Sequence, residues 1–269
     1  MPSPTPPDPA RGLFETLLVA DGRPVRAAPH LDRLAASARE VFGRDLPAEL
    51  PAAIREAAAP LTLGRMRIDL LPDADDPPAL RLKIQAEPID PAIFFPARAA
   101  GADVRTIRHP GWAGAHKWAD RDWLEAREAE LGEVVPLILT PDGEVLEAGR
   151  ANLFAVLDGT LVTPPADGRI LPGTTRAATL DLARDLGIPT AERPLHLTDL
   201  RRADDLFLTS SLRGIRPVRS LDGVPLERSD PLVEHLASAL RARWLDEAET
   251  IPASTKREGE PTARPPGTA

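Results

Sequence analysis

Only three lysines, Lys83, Lys117 and Lys256, stand among the 33 basic side chains; the rest are arginine. Codon bias accounts for most of such a skew but not for which positions escape it. A guanidinium stays protonated, whereas a lysine amine can lose its proton and attack a carbonyl carbon. Lys83 lies in the alternating run Leu80-Arg81-Leu82-Lys83-Ile84-Gln85 and shares the polar face of a strand with Arg81 and Gln85. Lys256 falls in a polar tail. Lys117, in Gly114-Ala115-His116-Lys117-Trp118-Ala119-Asp120-Arg121, has neither explanation. Two readings remain for it, an amine that forms an imine with a carbonyl or a lysine snorkelling from the start of a helix.

Four further groups have types that suit chemistry. Gly173-Thr174-Thr175-Arg176 opens a helix behind Pro172, where free N–H groups, the positive helix end and two hydroxyls suit a phosphate, although Thr also simply caps helices. Thr209-Ser210-Ser211 stands where a strand runs into a loop, as phosphate donors or as a Ser/Thr turn. Glu147 follows a short apolar strand and precedes Ala148-Gly149, so it either reaches into a site or is solvated. Arg33 flanks the apolar stripe of a helix carrying Leu31 and Leu34, in a site or in a surface ion pair. Jointly they supply what a pyridoxal phosphate site requires: an amine, a phosphate seat and an anion beside the pyridine nitrogen.

The remaining composition excludes several alternatives. The chain has 269 residues, 42% hydrophobic and 28% charged, enough for one large domain or two small ones. It has no cysteine, which rules out disulfides and thiolate sites, and its five scattered histidines give no expectation of a metal site. With a net charge of −8 its arginines are outnumbered by carboxylates, which speaks against nucleic acid. No apolar run approaches membrane-spanning length and the start is proline-rich, so a soluble cytoplasmic protein is expected.

These residues need elements to hold them. Residues 1–10 and 248–269 read as disordered ends. Residues 11–110 read as a first α+β domain. It has a strand over 13–19, a turn at Asp21-Gly22, helices over 31–41 and 47–59, alternating strands over 66–70 and 80–84, and a further strand near 104–107. The Gly-rich stretch 109–115 marks the boundary. Residues 116–247 read as a second α+β domain, with helices over 118–131, 174–186 and 231–245 and short strands between them. Hairpins mixed with helices indicate an α+β fold rather than a doubly wound parallel sheet.

Six ordered motifs resemble the class IV, fold type IV pyridoxal-phosphate family, which includes branched-chain and D-amino acid aminotransferases and aminodeoxychorismate lyase. They are Phe14-Glu15-Thr16, His30-Leu31-Asp32-Arg33-Leu34, Lys117, Glu147 through Asn152-Leu153-Phe154, Leu171-Pro172-Gly173-Thr174-Thr175-Arg176, and Thr209-Ser210-Ser211 leading to Pro217-Val218. The resemblance spans about residues 12–222. It implies a two-domain fold like that of D-amino acid aminotransferase, with Lys117 as the Schiff-base lysine and Glu147 as partner of the pyridine nitrogen. It implies Arg33 as the phosphate arginine, Thr174 and Thr175 as backbone donors to phosphate, and Ser210 and Ser211 as hydroxyl donors. His30 is expected to be a packing residue and Arg176 a brace for its loop.

Within the family, three departures favour the lyase. There is no tyrosine, where both aminotransferase types resemble each other in using one near the cofactor. Arg121 follows Lys117 by four residues, and Ser211-Leu212-Arg213-Gly214-Ile215 is similar to lyase domains fused behind chorismate-using synthases. The shortened start before Phe14 resembles those domains too. The resemblance thus implies a lyase that converts 4-amino-4-deoxychorismate into 4-aminobenzoate and pyruvate for folate synthesis. Arg121 and Arg213 are its candidates for binding the substrate carboxylates, and a homodimer and an aminodeoxychorismate synthase are its expected partners. The alternative is a class IV transaminase acting on branched-chain or D-amino acids.

Overall fold

A computed structural model describes residues 6–73, 79–109, 114–226 and 229–246. Strand β1 (Leu13–Ala20) turns at Asp21-Gly22 into the short β2 (Arg23–Pro24). Both turn residues have positive φ, 48° and 73°, the geometry that tight hairpins require. Helices α1 (Ala27–Phe42) and α2 (Leu50–Ala58) follow, then β3 (Leu63–Pro72) and β4 (Leu80–Pro88). The strands form an antiparallel sheet in the order β2-β1-β3-β4. Leu34, Ala38, Ile54 and Ala58 of the helices pack on Leu17, Met66 and Ile68, a core whose positions match the helical and alternating periods of the sequence.

The second sheet contains β5 (Ala102–Arg108), β6 (Val135–Leu139), β7 (Glu144–Ala148), β8 (Asn152–Leu157), β9 (Thr160–Thr163), β10 (Thr190–Glu192), β11 (Leu195–His196), β12 (Asp205–Ser210), β13 (Gly214–Leu221) and β14 (Val224–Pro225). Its order is β10-β9-β8-β12-β13-β5-β6-β7-β11, with β14 paired to β13. It is mixed, with β5 parallel to both β13 and β6 and β9 parallel to β10. A bridge between Ala148 and Ala151 brings β7 back to β8, so the sheet curls round on itself. Four helices accompany it, α3 (Asp122–Leu131), α4 (Thr174–Asp185), α5 (Leu197–Arg202) and α6 (Pro231–Asp246). Phe154 and Phe207, stacked at 5.0 Å, form a core with Leu180 of α4 and Leu236 of α6. The α+β class follows from this mixture of hairpins, curled sheets and helices.

Three expectations are corrected. The strand near 104–107 belongs to the second sheet, not the first domain, so the chain crosses between sheets within residues 89–101 rather than at 109–115. Its parallel partners are the next strand, reached through α3, and the distant β13, pairings that local periodicity does not reveal. The helix expected from residue 118 begins at Asp122, because Trp118 is bridged to Leu13 and Ala119 donates to Gly12. Order begins before residue 11, since Pro9–Arg11 form a 3-10 turn capped by Asp8. The rest of the stretch read as a disordered start, residues 1–5, and the tail 248–269 lie outside the described residues.

Candidate active site

A cavity of about 1030 Å³ opens between the first sheet and the curled second sheet. Lys117 reaches it from an extended segment laid against β1, where its carbonyl accepts from the Phe14 amide at 2.9 Å. That pairing removes the helix-start reading of this lysine. Its Nζ lies 4.8 Å from the centroid of the Phe14 ring. Burial, with Arg33 and Arg121 nearby, outweighs the opposing pull of Glu15 and Glu147 and brings the amine down to about 7. An ordinary lysine is almost wholly protonated at neutral pH, whereas this one divides between both forms. Capture of an aldehyde by the cofactor-free protein should therefore accelerate as pH rises through about 7 and level off above it. Stopped-flow absorbance checks this; a rate still climbing steeply toward pH 10 would mean an unshifted amine.

Glu147 lies next to the end of β7, 6% exposed, with its Oε2 accepting from Asn152 Nδ2 at 3.2 Å and from the Leu171 amide at 3.3 Å. Asn152 also donates to the Leu171 carbonyl at 3.0 Å. Gly173 lies so close that a Cβ there would strike Asn152 Oδ1, which explains the glycine at the entry to α4. The first amides of α4 have no intrahelical acceptor and face the cavity beside Thr174 and Thr175. Ser210 and Ser211 line the same wall. The buried hydroxyls of Thr175 and Thr209 have no hydrogen-bond partner among the described residues.

Strand alternation turns Phe14 and Thr16 to the cavity and Glu15 toward α1. Glu15 is 1% exposed. Arg33 grips it with Nε at 2.7 Å and Nη2 at 2.8 Å, and His30 Nδ1 lies 2.9 Å from its Oε2. Although burial alone would push Glu15 up, Arg33 and His30 hold it well below the usual carboxylate range, and it stays ionised. Arg33 lines the cavity but also donates from Nη1 to the Pro172 carbonyl at 2.8 Å. His30 is more than packing, because its Nε2 meets the Thr174 hydroxyl at 3.0 Å and so ties β1 to the start of α4. Burial pulls His30 down, consistent with a neutral ring bridging the two. Arg176 does brace its loop, bonding the Pro164 carbonyl and Glu192.

Removing the charge of Glu15 while keeping its shape leaves the buried Arg33 cation uncompensated. Glu15→Gln should lower stability by about 3–5 kcal/mol. Thermal denaturation reads this directly, and an unchanged melting temperature would show that the pair is replaceable by solvent.

Arg121 lines the cavity, and its Nη2 donates to the Gly149 carbonyl at 2.8 Å; burial brings it down to about 10. Arg213 also lines it, from the turn before β13. The structure thus brings all nine residues singled out in the sequence around one cavity. Sequence reasoning missed Arg65 and Arg67, which project from β3 into it. Their alternation with Met66 and Ile68 was the available signal. Arg67 stacks on Phe14 at 3.9 Å and pairs with Asp69, and Arg65 pairs with Glu87 at 2.7 Å. Among the described residues no cluster of His, Cys, Asp or Glu could hold a metal ion, and no helix is long and apolar enough to cross a membrane.

This donor set fits pyridoxal phosphate. A lysine amine lowered toward neutrality, a buried carboxylate, unpartnered hydroxyls and a helix N-terminus face one volume, and each matches one functional group of that cofactor.

Comparison with known proteins points the same way. Residues 12–221 match the family model for amino-transferase class IV. The branched-chain-amino-acid aminotransferase of Escherichia coli strain K12 is 36% identical over 115 residues, 42% of this chain and 37% of that protein. Matches to the first curated relatives span only 37% to 38% of their length. Solved structures align more fully. A hypothetical aminotransferase from Mycobacterium tuberculosis, with alpha-ketoglutarate and PMP bound, superposes with a TM-score of 0.80 at 28% identity, covering 91% of this chain and 94% of that one. A 4-amino-4-deoxychorismate lyase from Pseudomonas aeruginosa superposes with a TM-score of 0.75 at 29% identity, covering 88% and 92%.

Proposed function

The chain belongs to the class IV aminotransferase family, whose members use pyridoxal phosphate, and from that premise we propose that it is a 4-amino-4-deoxychorismate lyase, releasing 4-aminobenzoate and pyruvate. The observation that carries this reading is the convergence of Arg65, Arg67, Arg121 and Arg213 on one cavity in a chain without tyrosine. A substrate with two carboxylates needs several planar cationic donors, and arginine offers them in bidentate form. The likeness to a solved lyase over most of both chains supports it. The transaminase alternative draws on curated relatives named for branched-chain amino acids.

In this reading Lys117 Nζ would hold the cofactor, and Arg33, the amides of Thr174 and Thr175 and the hydroxyls of Ser210 and Ser211 would hold its phosphate. Glu147 would keep the pyridine nitrogen protonated, its carboxylate aimed by Asn152 and the Leu171 amide. When bound, the cofactor supplies a ring that accepts negative charge from the substrate carbon bearing nitrogen. Lys117 Nζ would take the proton from that carbon. A pKa near 7 suits an amine that must both take and return a proton. Breaking of the substrate's own ring carbon–oxygen bond would then make that ring aromatic, and Lys117 Nζ would give a proton to the departing enolpyruvyl group, which leaves as pyruvate. Arg121 and Arg213 hold the carboxylates. The enzyme works in the cytoplasm as a homodimer, with the neighbouring subunit beside the cleft, and takes its substrate from an aminodeoxychorismate synthase.

A lyase has no second half-reaction. With leucine or D-alanine and no keto acid, the cofactor absorbance should remain that of the aldehyde form over many minutes. Rapid conversion to the amine form would favour the transaminase.

A further inference from the structure

The crossing between the sheets touches the cavity wall from behind. Phe95, in that crossing, has a left-handed backbone with φ 50°. A bulky residue holds this conformation only where its surroundings enforce it. Its amide donates to the Arg213 carbonyl at 3.1 Å. Its ring lies over Gly214, where any Cβ would collide with three ring carbons. Gly214 is itself left-handed, φ 58°, which glycine adopts without strain. Two other aromatics enclose the Phe95 ring, Phe94 edge-on at 4.9 Å and Trp244 of α6 edge-on at 5.3 Å. Trp244 is 2% exposed and, with Thr175 and Ser211, also bounds a small void of about 10 Å³ behind the start of α4.

These contacts form a continuous chain from the last helix to the cavity. We propose that Phe95 is a positioning residue: seated on Gly214 and backed by Trp244, it fixes the Ser211-Leu212-Arg213 turn and thereby the wall of the cavity that this turn supplies. The turn is a three-residue loop closed by the Ser210–Gly214 pair of β12 and β13, and beyond that pair its setting depends on further restraints. The ring pressed on Gly214 and the bond to the Arg213 carbonyl supply two of them, which hold the hydroxyl of Ser211 and the guanidinium of Arg213 at one setting. The inference rests on the reading that Ser211 contacts the cofactor and Arg213 the substrate.

The test is a double-mutant cycle on the holoenzyme with Phe95→Ala and Gly214→Ala, with Ser211→Ala and Arg213→Ala as references. Cofactor dissociation constants come from absorbance titration, and KM and kcat from the amine substrate that the enzyme turns over. Phe95→Ala should raise both the cofactor dissociation constant and KM about tenfold, with kcat within about twofold, because the turn is displaced but the reacting groups are not. Gly214→Ala should act similarly in the presence of Phe95 and add clearly less once the ring it strikes is gone, only the strain of a left-handed alanine then remaining. If Phe95→Ala does not fold, Phe95→Leu, which keeps apolar bulk without the flat ring, carries the same expectation. Unchanged constants in the Phe95 variant while Ser211→Ala and Arg213→Ala raise theirs would overturn this inference alone. Unchanged constants in all of them would overturn the reading of the turn as well. Effects that simply multiply in the double variant would also contradict the coupling.

Discussion

Lys117→Ala protein should lose turnover by a factor on the order of 10⁴ or more, because on the proposed assignment one amine both bonds the cofactor and moves the proton. Lys117→Arg should be as inactive, since a guanidinium keeps its charge and cannot act as a nucleophile. Both variants should still fold, because Lys117 contributes its backbone carbonyl rather than its side chain to the pairing with β1. Peptide mapping of borohydride-treated wild-type protein should find the cofactor on Lys117. Attachment to Lys83, which lies on β4 and does not line the cavity, would displace the assignment.

Glu147→Gln should retain the cofactor yet react slowly. A neutral amide no longer keeps the pyridine nitrogen protonated, so the ring withdraws electrons less strongly as charge develops. The loss should be on the order of 10² to 10⁴ in rate, a few kcal/mol of transition-state stabilisation. Shape is nearly preserved, and the Leu171 amide can still donate to the remaining carbonyl oxygen. Steady-state kinetics and cofactor titration separate the two effects. A variant that lost the cofactor but reacted normally when saturated would assign Glu147 to retention instead.

Much of the site was legible because its residues are unusual in their own neighbourhoods. Lys117 stood out against the arginines, and Gly173-Thr174-Thr175 announced a helix start facing a loop. The way Lys117 is presented was not legible, because its restraints are hydrogen bonds to residues more than 100 positions earlier in the chain. The triad of Glu15, His30 and Arg33 was present in two quoted motifs, yet its partnership requires knowing that one face of β1 looks onto α1. Alternation put Arg65 and Arg67 on the face opposite Met66 and Ile68, but only the second sheet turns that face into a cavity wall. The same limit explains the misplaced boundary, since β5 takes its place between β6 and the distant β13. Local periods give elements; which elements meet is decided by burial summed over the whole chain.

The assignment as a lyase is tested most directly by incubating the purified holoenzyme with 4-amino-4-deoxychorismate in the absence of any keto acid. The account predicts 4-aminobenzoate and pyruvate in equal amounts, over many turnovers, with the cofactor spectrum unchanged at the end. No 4-aminobenzoate, together with rapid keto acid formation from leucine or D-alanine once an acceptor is supplied, would contradict it.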